Sequence, residues 1–409
     1  MQNKTAQIRI LAGIDEITPA VWDACANPGM QTAGGNPQAA QEGASARPYN
    51  PFTSYDFLYC LEASGSVGAR TGWQPQHLVA EDAEGAVLGV VPCYLKSHSR
   101  GEYVFDGGWA EAYERVGGDY YPKIQVSVPF TPAVGPRLLV APGPAAEHAT
   151  NALADGLIEL CRLREASSVH VTFLPKAQSQ LLCGKGFLQR TDQQFHWENA
   201  GYASFEAFLE ALAARKRKAI RRERREALSA GIEVKWVTGS DITEEVWDAF
   251  FAFYMDTGSR KWGRPYLTRS FYSLAGERMR DRIVLMMARR AGRWIAGAIN
   301  FIGSDTLFGR HWGAIEHHPF LHFEICYYQA IDYAIQHGMA RVEAGAQGEH
   351  KLARGYLPAT TYSNHYIADP ALRRAIADYL KRERAYVDAA GAELAALTPF
   401  RKDFVVEQE

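Results

Sequence analysis

Ile283 to Gly303 reads IVLMMARRAGRWIAGAINFIG. Two apolar runs flank Arg-Arg-Ala-Gly-Arg, and a glycine-bearing polar turn between such runs predicts a β-hairpin. Downstream, FEICYYQAIDYAIQHGMARVEAGA (Phe323–Ala346) places Ile325, Tyr328, Ile331 and Ile335 at helical spacing, and the run ARVEAGA then reads as a strand. The same order occurs earlier. HLVAEDAEGAVLGVVPCYLKS (His77–Ser97) is a hairpin across Asp82–Gly85. HATNALADGLIELCRLREASSVHVTFLP (His148–Pro175) is a helix carrying Leu153, Leu157 and Leu160, then a break, then a strand.

Helix, hairpin, further strand, amphipathic helix and strand therefore appear twice, at a period of about 190 residues, too long for a solenoid. The join lies near QFHWENAGYASFEAFLEAL, where a strand ends at Trp197 and Ser204 reads as a helix N-cap. Two domains follow, 1–197 and 198–409, with a Gly-, Ala-, Gln- and Pro-rich flexible insertion at 28–48. A short amphipathic helix precedes it at Pro19–Ala26. In the tail, Asp369 reads as an N-cap and Pro370 as the first residue of a long C-terminal helix.

With 409 residues, 47% hydrophobic and 22% charged, the chain has the composition of a globular protein with room for two cores. A net charge of −2 points to no polyanionic partner overall. The six cysteines include no C-x-x-C pair, which excludes a zinc ribbon or thioredoxin-like motif. The N-terminus lacks a signal-peptide apolar region, and no apolar run approaches the ~18 residues of a transmembrane helix. A reduced cytoplasmic protein without membrane insertion is expected.

This element order is that of the GNAT acyltransferase fold, and a tandem pair resembles the Fem-type (FemAB-like) peptidoglycan aminoacyltransferases. Three stretches carry the resemblance: RKRKAIRRERREALSAGIEVKW (Arg215–Trp236), TGSRKWGRPYLTRSFYSLAGERM (Thr257–Met279) and His311–Pro358. It covers nearly the whole chain outside the insertion. The fold expected is α/β with mixed sheets, in two tandem GNAT-like domains. The resemblance implies transfer of an aminoacyl or acyl group to an amine acceptor on a peptidoglycan precursor. Aminoacyl-tRNA or acyl-CoA would enter as co-substrate, with no bound cofactor. Two departures bear on the donor. GRHWGAIEHHPFLHFEICYY (Gly309–Tyr328) and VGPRLLVAPGPAAEHA (Val134–Ala149) lack the glycine pattern of a CoA pyrophosphate loop, and Glu316 and Glu324 would repel phosphates. The coiled-coil arm of Fem enzymes has no counterpart. Two alternatives remain: a CoA-dependent N-acetyltransferase, and a non-catalytic module that binds cell-wall fragments.

Chemistry concentrates in EAGAQGEHKLARGYLP (Glu343–Pro358). Acyl transfer to an amine needs a base and a stabilised oxyanion. Glu349 or His350 could supply the base, Lys351 and Arg354 the cation, and Gly345, Gly348 and Gly355 the close backbone approach. The repeat pattern puts the segment after the last core strand of the second sheet, at the mouth of a splayed cleft. His311, His322 and Glu324 are expected on the cleft wall. The four-residue step from His318 to His322 lacks a matching third ligand, so no metal is expected. Trp312, Phe320, Phe323 and Tyr327 read as core aromatics. The run Arg215–Glu226 holds eight Lys/Arg against two Glu, and Arg217, Lys218 and Arg221 are candidate contacts for the phosphates of tRNA or of a cell-wall precursor. A solvated helix face is the plainer reading of that run. In the first repeat, Lys96, Asp106 and Lys123 lie among aromatics suited to stacking on an acceptor, or to an ordinary core. No Ser-His-Asp or Cys-His signature supports a covalent intermediate.

Overall fold

The computed structural model describes residues 6–30, 47–262, 265–345 and 348–401. The chain divides into two compact units. The first comprises Met1–Asp192 and Thr360–Asp388, the second Gln193–Ala359 and Ala389–Glu409. Both mix helices with sheets, as expected. Most of the expected insertion at 28–48 falls outside the described residues.

In the first unit, Gln7–Leu11, His77–Glu81, Val87–Val91 and Leu139–Val140 form an antiparallel sheet in that order. The turn of its hairpin closes on Asp82, whose Oδ1 accepts the N–H groups of Glu84 at 3.0 Å and Ala86 at 2.8 Å. A second run of strands orders Trp73–Pro75, Cys93–Lys96, Lys123–Val126 and Ser168–Leu174, the last two parallel. The helix Ala146–Leu163 buries Leu153, Leu157 and Leu160 in the core between them. Thr18 caps the helix Pro19–Ala26 as a side-chain acceptor.

The unit also takes back Thr360–Asp388, which the sequence reading assigns to the second domain. From Thr360 the strand ending at Ile367 lies antiparallel to Ser168–Leu174, Tyr362 opposite Leu174 and Ile367 opposite Ser168. The helix Pro370–Ala396 follows, with Asp369 Oδ1 accepting the Leu372 N–H at 2.7 Å as the N-cap reading requires. Leu372, Ile376 and Leu380 bury against Trp109, Tyr120 and Ile367. Each such burial stabilises by about 2 kcal/mol. The segment follows its apolar partners rather than its place in the chain.

In the second unit, Ile232–Thr238, Ile283–Arg290, Arg293–Ile302 and Thr306–Ala314 form an antiparallel series. The hairpin expected at 283–303 turns through Ala291 and Gly292 at φ 48° and 78°, the pair of positive values a two-residue turn needs. Thr306–Ala314 then pairs in parallel with Arg341–Glu343, which pairs with the strand ending at Glu198. The parallel register stops at Phe308 opposite Glu343, although the first strand runs on to Ala314. The pairing ends there because the strand Arg341–Glu343 ends. The helix Glu244–Trp262 covers one face so closely that a Cβ on Gly313 would lie 2.1 Å from the Phe253 carbonyl oxygen. A helical run from Leu321 to Gln336 covers the other, and its middle turn, Glu324–Tyr328, is a wide π-turn. Ser204 caps Phe205–Ala211 through the Ala207 N–H at 3.1 Å. No helix among the described residues is long and apolar enough to cross a membrane.

Candidate active site

The segment after Arg341–Glu343 turns tightly between Gly348 and Gly355, which sit at φ 119° and 90°. Glycine is required at both. A Cβ would come 2.5 Å from the His350 ring at the first and 2.6 Å from Phe208 at the second. Between them Glu349–Arg354 forms a short helical turn. The Glu349 side chain lies outside the described residues.

His350, Lys351 and Arg354 come together in three different environments. His350 is exposed, with Nε2 2.9 Å from the Tyr327 hydroxyl. Burial, then Arg354 and Lys351, hold its pKa below the usual imidazole value. Lys351 is 2% exposed and donates to the Gly345 carbonyl at 2.8 Å. Burial, with Arg310 adding repulsion, pushes its ammonium down to about 8. Arg354 is buried, donates to the His350 carbonyl at 2.7 Å and to Glu223 at 2.9 Å, and stacks 3.5 Å over Phe323. Glu223 also accepts the Tyr328 hydroxyl.

The π-turn explains why two consecutive tyrosines serve this segment. Widening the helix by one residue lets Tyr327 reach His350 while Tyr328 reaches the Glu223–Arg354 pair. Phe323 and Tyr327, expected as plain core aromatics, therefore support the cluster. Glu223 was hidden inside a basic run, where it read as a diluting charge.

The three wall residues separate. The His322 ring lies 5.2 Å from Trp312, 5.5 Å from Tyr327 and 6.4 Å from His350, so it joins the cluster. His311 packs 4.9 Å from Tyr254 of the helix Glu244–Trp262, and burial lowers its pKa to about 4. Alternation along the strand puts it on the opposite face from Trp312. Glu324 is fully buried and accepts from Arg224 at 3.0 and 3.1 Å and from Gln329 at 2.7 Å, which anchors the basic helix Ala214–Ala227. Glu316 accepts from Arg290 at 2.9 Å and Arg293 at 2.6 Å. Both carboxylates expected to repel phosphates are thus neutralised.

On the basic helix, Arg221 is ion-paired to Glu206, Arg217 is half-buried and Lys218 is exposed. Among the described residues no group of three His, Cys, Asp or Glu side chains is placed to hold a metal ion.

In the first unit Lys96, Asp106 and Lys123 also come together, in a closed network. Both lysines are 0% exposed. Lys123 donates to Glu102 at 2.7 Å, to Ser99 at 2.8 Å and to Asp106. Lys96 lies 3.7 Å from Glu102 and 3.5 Å over the Trp73 ring. Burial lowers Lys96 to about 7. Burial opposes the charge on Lys123 too, yet Glu102 and Asp106 hold its pKa up. The Tyr120 hydroxyl donates to Asp106 at 2.7 Å, and His170 and His365 face each other through Nδ1 atoms 2.7 Å apart. These side chains contact one another rather than solvent. Glu102, Tyr120, His170 and His365 were missed because single polar residues in apolar strands and loops carry no spacing signal.

The FemAB_like family profile, described as peptidoglycan biosynthesis/recognition, matches residues 13–402. No curated protein matches the chain. Among solved structures, FemX is similar at 13% identity, over 79% of this chain and 93% of that one, with a TM-score of 0.50. A conserved protein of unknown function from Bacteroides thetaiotaomicron VPI-5482 is similar at 12% identity, over 88% and 99%, with a TM-score of 0.50. A tandem GNAT protein from the clavulanic acid biosynthesis pathway has 15% identity, over 90% and 99%, with a TM-score of 0.45. At these identities the two structures with a TM-score of 0.50 share the fold alone. The match over nearly its full length shows that this chain belongs to the FemAB_like family of peptidoglycan biosynthesis/recognition proteins.

Proposed function

We propose that the chain is an N-acyltransferase that moves an aminoacyl or acyl group onto the amine of a peptidoglycan precursor. The observation that carries this reading is the buried Lys351, held on the Gly345 carbonyl just past the strand Arg341–Glu343, next to the exposed His350 and its buried partner Tyr327. With Nε2–H donated to the Tyr327 oxygen, His350 keeps its Nδ1 lone pair for the proton of the acceptor ammonium. The freed amine attacks the acyl carbonyl carbon. Lys351, charged at neutral pH in a desolvated place, stabilises the oxyanion and protonates the departing oxygen or sulfur. The new C–N bond forms as the bond to the carrier breaks, with no covalent enzyme intermediate.

The leading donor is aminoacyl-tRNA, in keeping with the absent glycine loop. Acyl-CoA is the second reading, favoured by the ion pairing of Glu316 and Glu324. Single-turnover transfer from labelled aminoacyl-tRNA and from labelled acetyl-CoA to a nucleotide-linked muropeptide tests both. Transfer from one donor, lost in His350→Ala and Lys351→Ala variants that stay folded, supports the reading. Undiminished transfer in both variants overturns the site assignment. Muropeptide binding without turnover of either donor leaves the binding-module alternative.

A further inference from the structure

The helix Ala214–Ala227 turns its charges in opposite directions. Glu223 points inward to Arg354 and Tyr328, and Arg224 to Glu324 and Asp332. Arg215, Lys218, Arg222 and Arg225 are exposed. At 100° per residue these four fall on one narrow stripe, about 15 Å long.

The stripe continues onto neighbouring elements of the same unit. Past its C-terminal end the chain enters the strand at Ile232, opposite Arg290. The adjacent hairpin tip carries Arg289, Arg290 and Arg293, the last 68% exposed. Glu316 ties that tip to the loop Ile315–Phe320, whose far end lies under Arg222, 6.0 Å from the Phe320 ring. Arg290 and Arg293 join the four helix cations on this face, where Glu226 and Glu316 lie among them, while Arg289 pairs with Glu233 on the opposite face of the hairpin. At its loop sits Ile315, 47% exposed, with Phe320 half-buried.

We infer that this face docks on an anionic lipid surface. Its guanidinium and ammonium groups would meet headgroup phosphates, and Ile315 would enter the boundary with the acyl chains. The exposed Ile315 decides between this partner and RNA. A single-stranded or acceptor-stem RNA is gripped by cations plus open ring platforms. Here the ring of Phe320 lies beneath Arg222, and an exposed isoleucine gains nothing from a base. Against a bilayer it gains burial, while each cation near an anionic surface adds about fivefold to binding. The docking does not depend on the transferase reading, because it is measured without turnover.

The full chain is sedimented with phosphatidylcholine vesicles, with and without phosphatidylglycerol, and titrated with bulk tRNA at the same salt. The expected result is retention on the anionic vesicles alone. Combined Arg215→Glu, Lys218→Glu, Arg222→Glu and Arg225→Glu substitution should abolish it. Ile315→Ser, which touches an exposed side chain and leaves the fold intact, should weaken it several-fold even at raised salt. Equal affinity for both vesicle types, or tRNA binding without vesicle binding, overturns the inference. So does an Ile315→Ser variant that binds anionic vesicles as well as the parent.

Discussion

Tyr327 and His350 are 23 residues apart, and the hydroxyl of one lies 2.9 Å from Nε2 of the other. The Tyr327 pKa is raised well above the usual phenol value by burial, so the hydroxyl stays protonated and neutral. The pair fixes the orientation of an otherwise exposed imidazole. Tyr327→Phe should lower transfer roughly tenfold, the scale of one lost hydrogen bond of about 1.4 kcal/mol. The chemical shift of His350 in NMR titrations should move with it, while thermal stability changes little. An unchanged His350 titration would show that the contact does not position the ring.

The rate of transfer should follow a bell in pH. Its acidic limb reports His350, depressed below the ordinary imidazole value by burial and by Arg354 and Lys351. Its alkaline limb reports Lys351 losing its proton at about 8. Lys351→Arg should move the alkaline limb upward beyond the measurable range. A limb that stays in place belongs to another group.

Lys351 also carries a stability cost. Its folded pKa of about 8 lies below the unfolded value of 10.5, so the unfolded chain binds more protons between them. The contribution from this group is greatest above pH 10.5 and is lost as pH falls to about 8. Lys351→Met should therefore raise urea stability at neutral pH by about 1–3 kcal/mol while removing activity. A destabilised variant would show that the bond to Gly345 outweighs the buried charge.

Glu223 holds Arg354 and Tyr328 together with little access to solvent. Glu223→Ala leaves a buried guanidinium unpaired and should cost about 3 kcal/mol in urea unfolding. In a double-mutant cycle with Arg354→Met, the double variant should lose less than the sum of the singles. Additive losses would mean the two side chains act independently.

In the first unit, Lys123→Met strands Glu102 and Asp106 in the core and should cost about 3–5 kcal/mol. Burial opposes ionisation of Asp106, but Lys123 and His170 hold its pKa well below the carboxylate range. The stability it contributes is present above the unfolded carboxylate pKa and lost as pH falls below it. The parent should therefore weaken in acid more steeply than Lys123→Met. Parallel acid profiles would remove Lys123 as the cause.

Much of the fold was legible because it is written locally. The turn at Ala291–Gly292, the caps Ser204 and Asp369, and the amphipathic spacing of Leu153, Leu157 and Leu160 each depend on residues a few positions apart. The cluster near 350 was half legible. Its glycines and its density of ionisable groups stood out, but which of them are buried did not. Nearness in sequence also set His311 beside His322, but alternation along the strand turns His311 to Tyr254 while its neighbour Trp312 meets His322.

Sequence alone determined the duplicated element order, the hairpins and the glycine-bounded segment that carries His350, Lys351 and Arg354. Tertiary structure alone decided that Glu223 meets Arg354, 131 residues away, that Lys123 meets Glu102 and Asp106, and that Thr360–Asp388 returns to the first unit. The physical reason is that backbone propensity acts over one or two turns. A buried charge finds its partner only when distant segments close on each other, and the cost of leaving it unpaired is not visible in any local stretch.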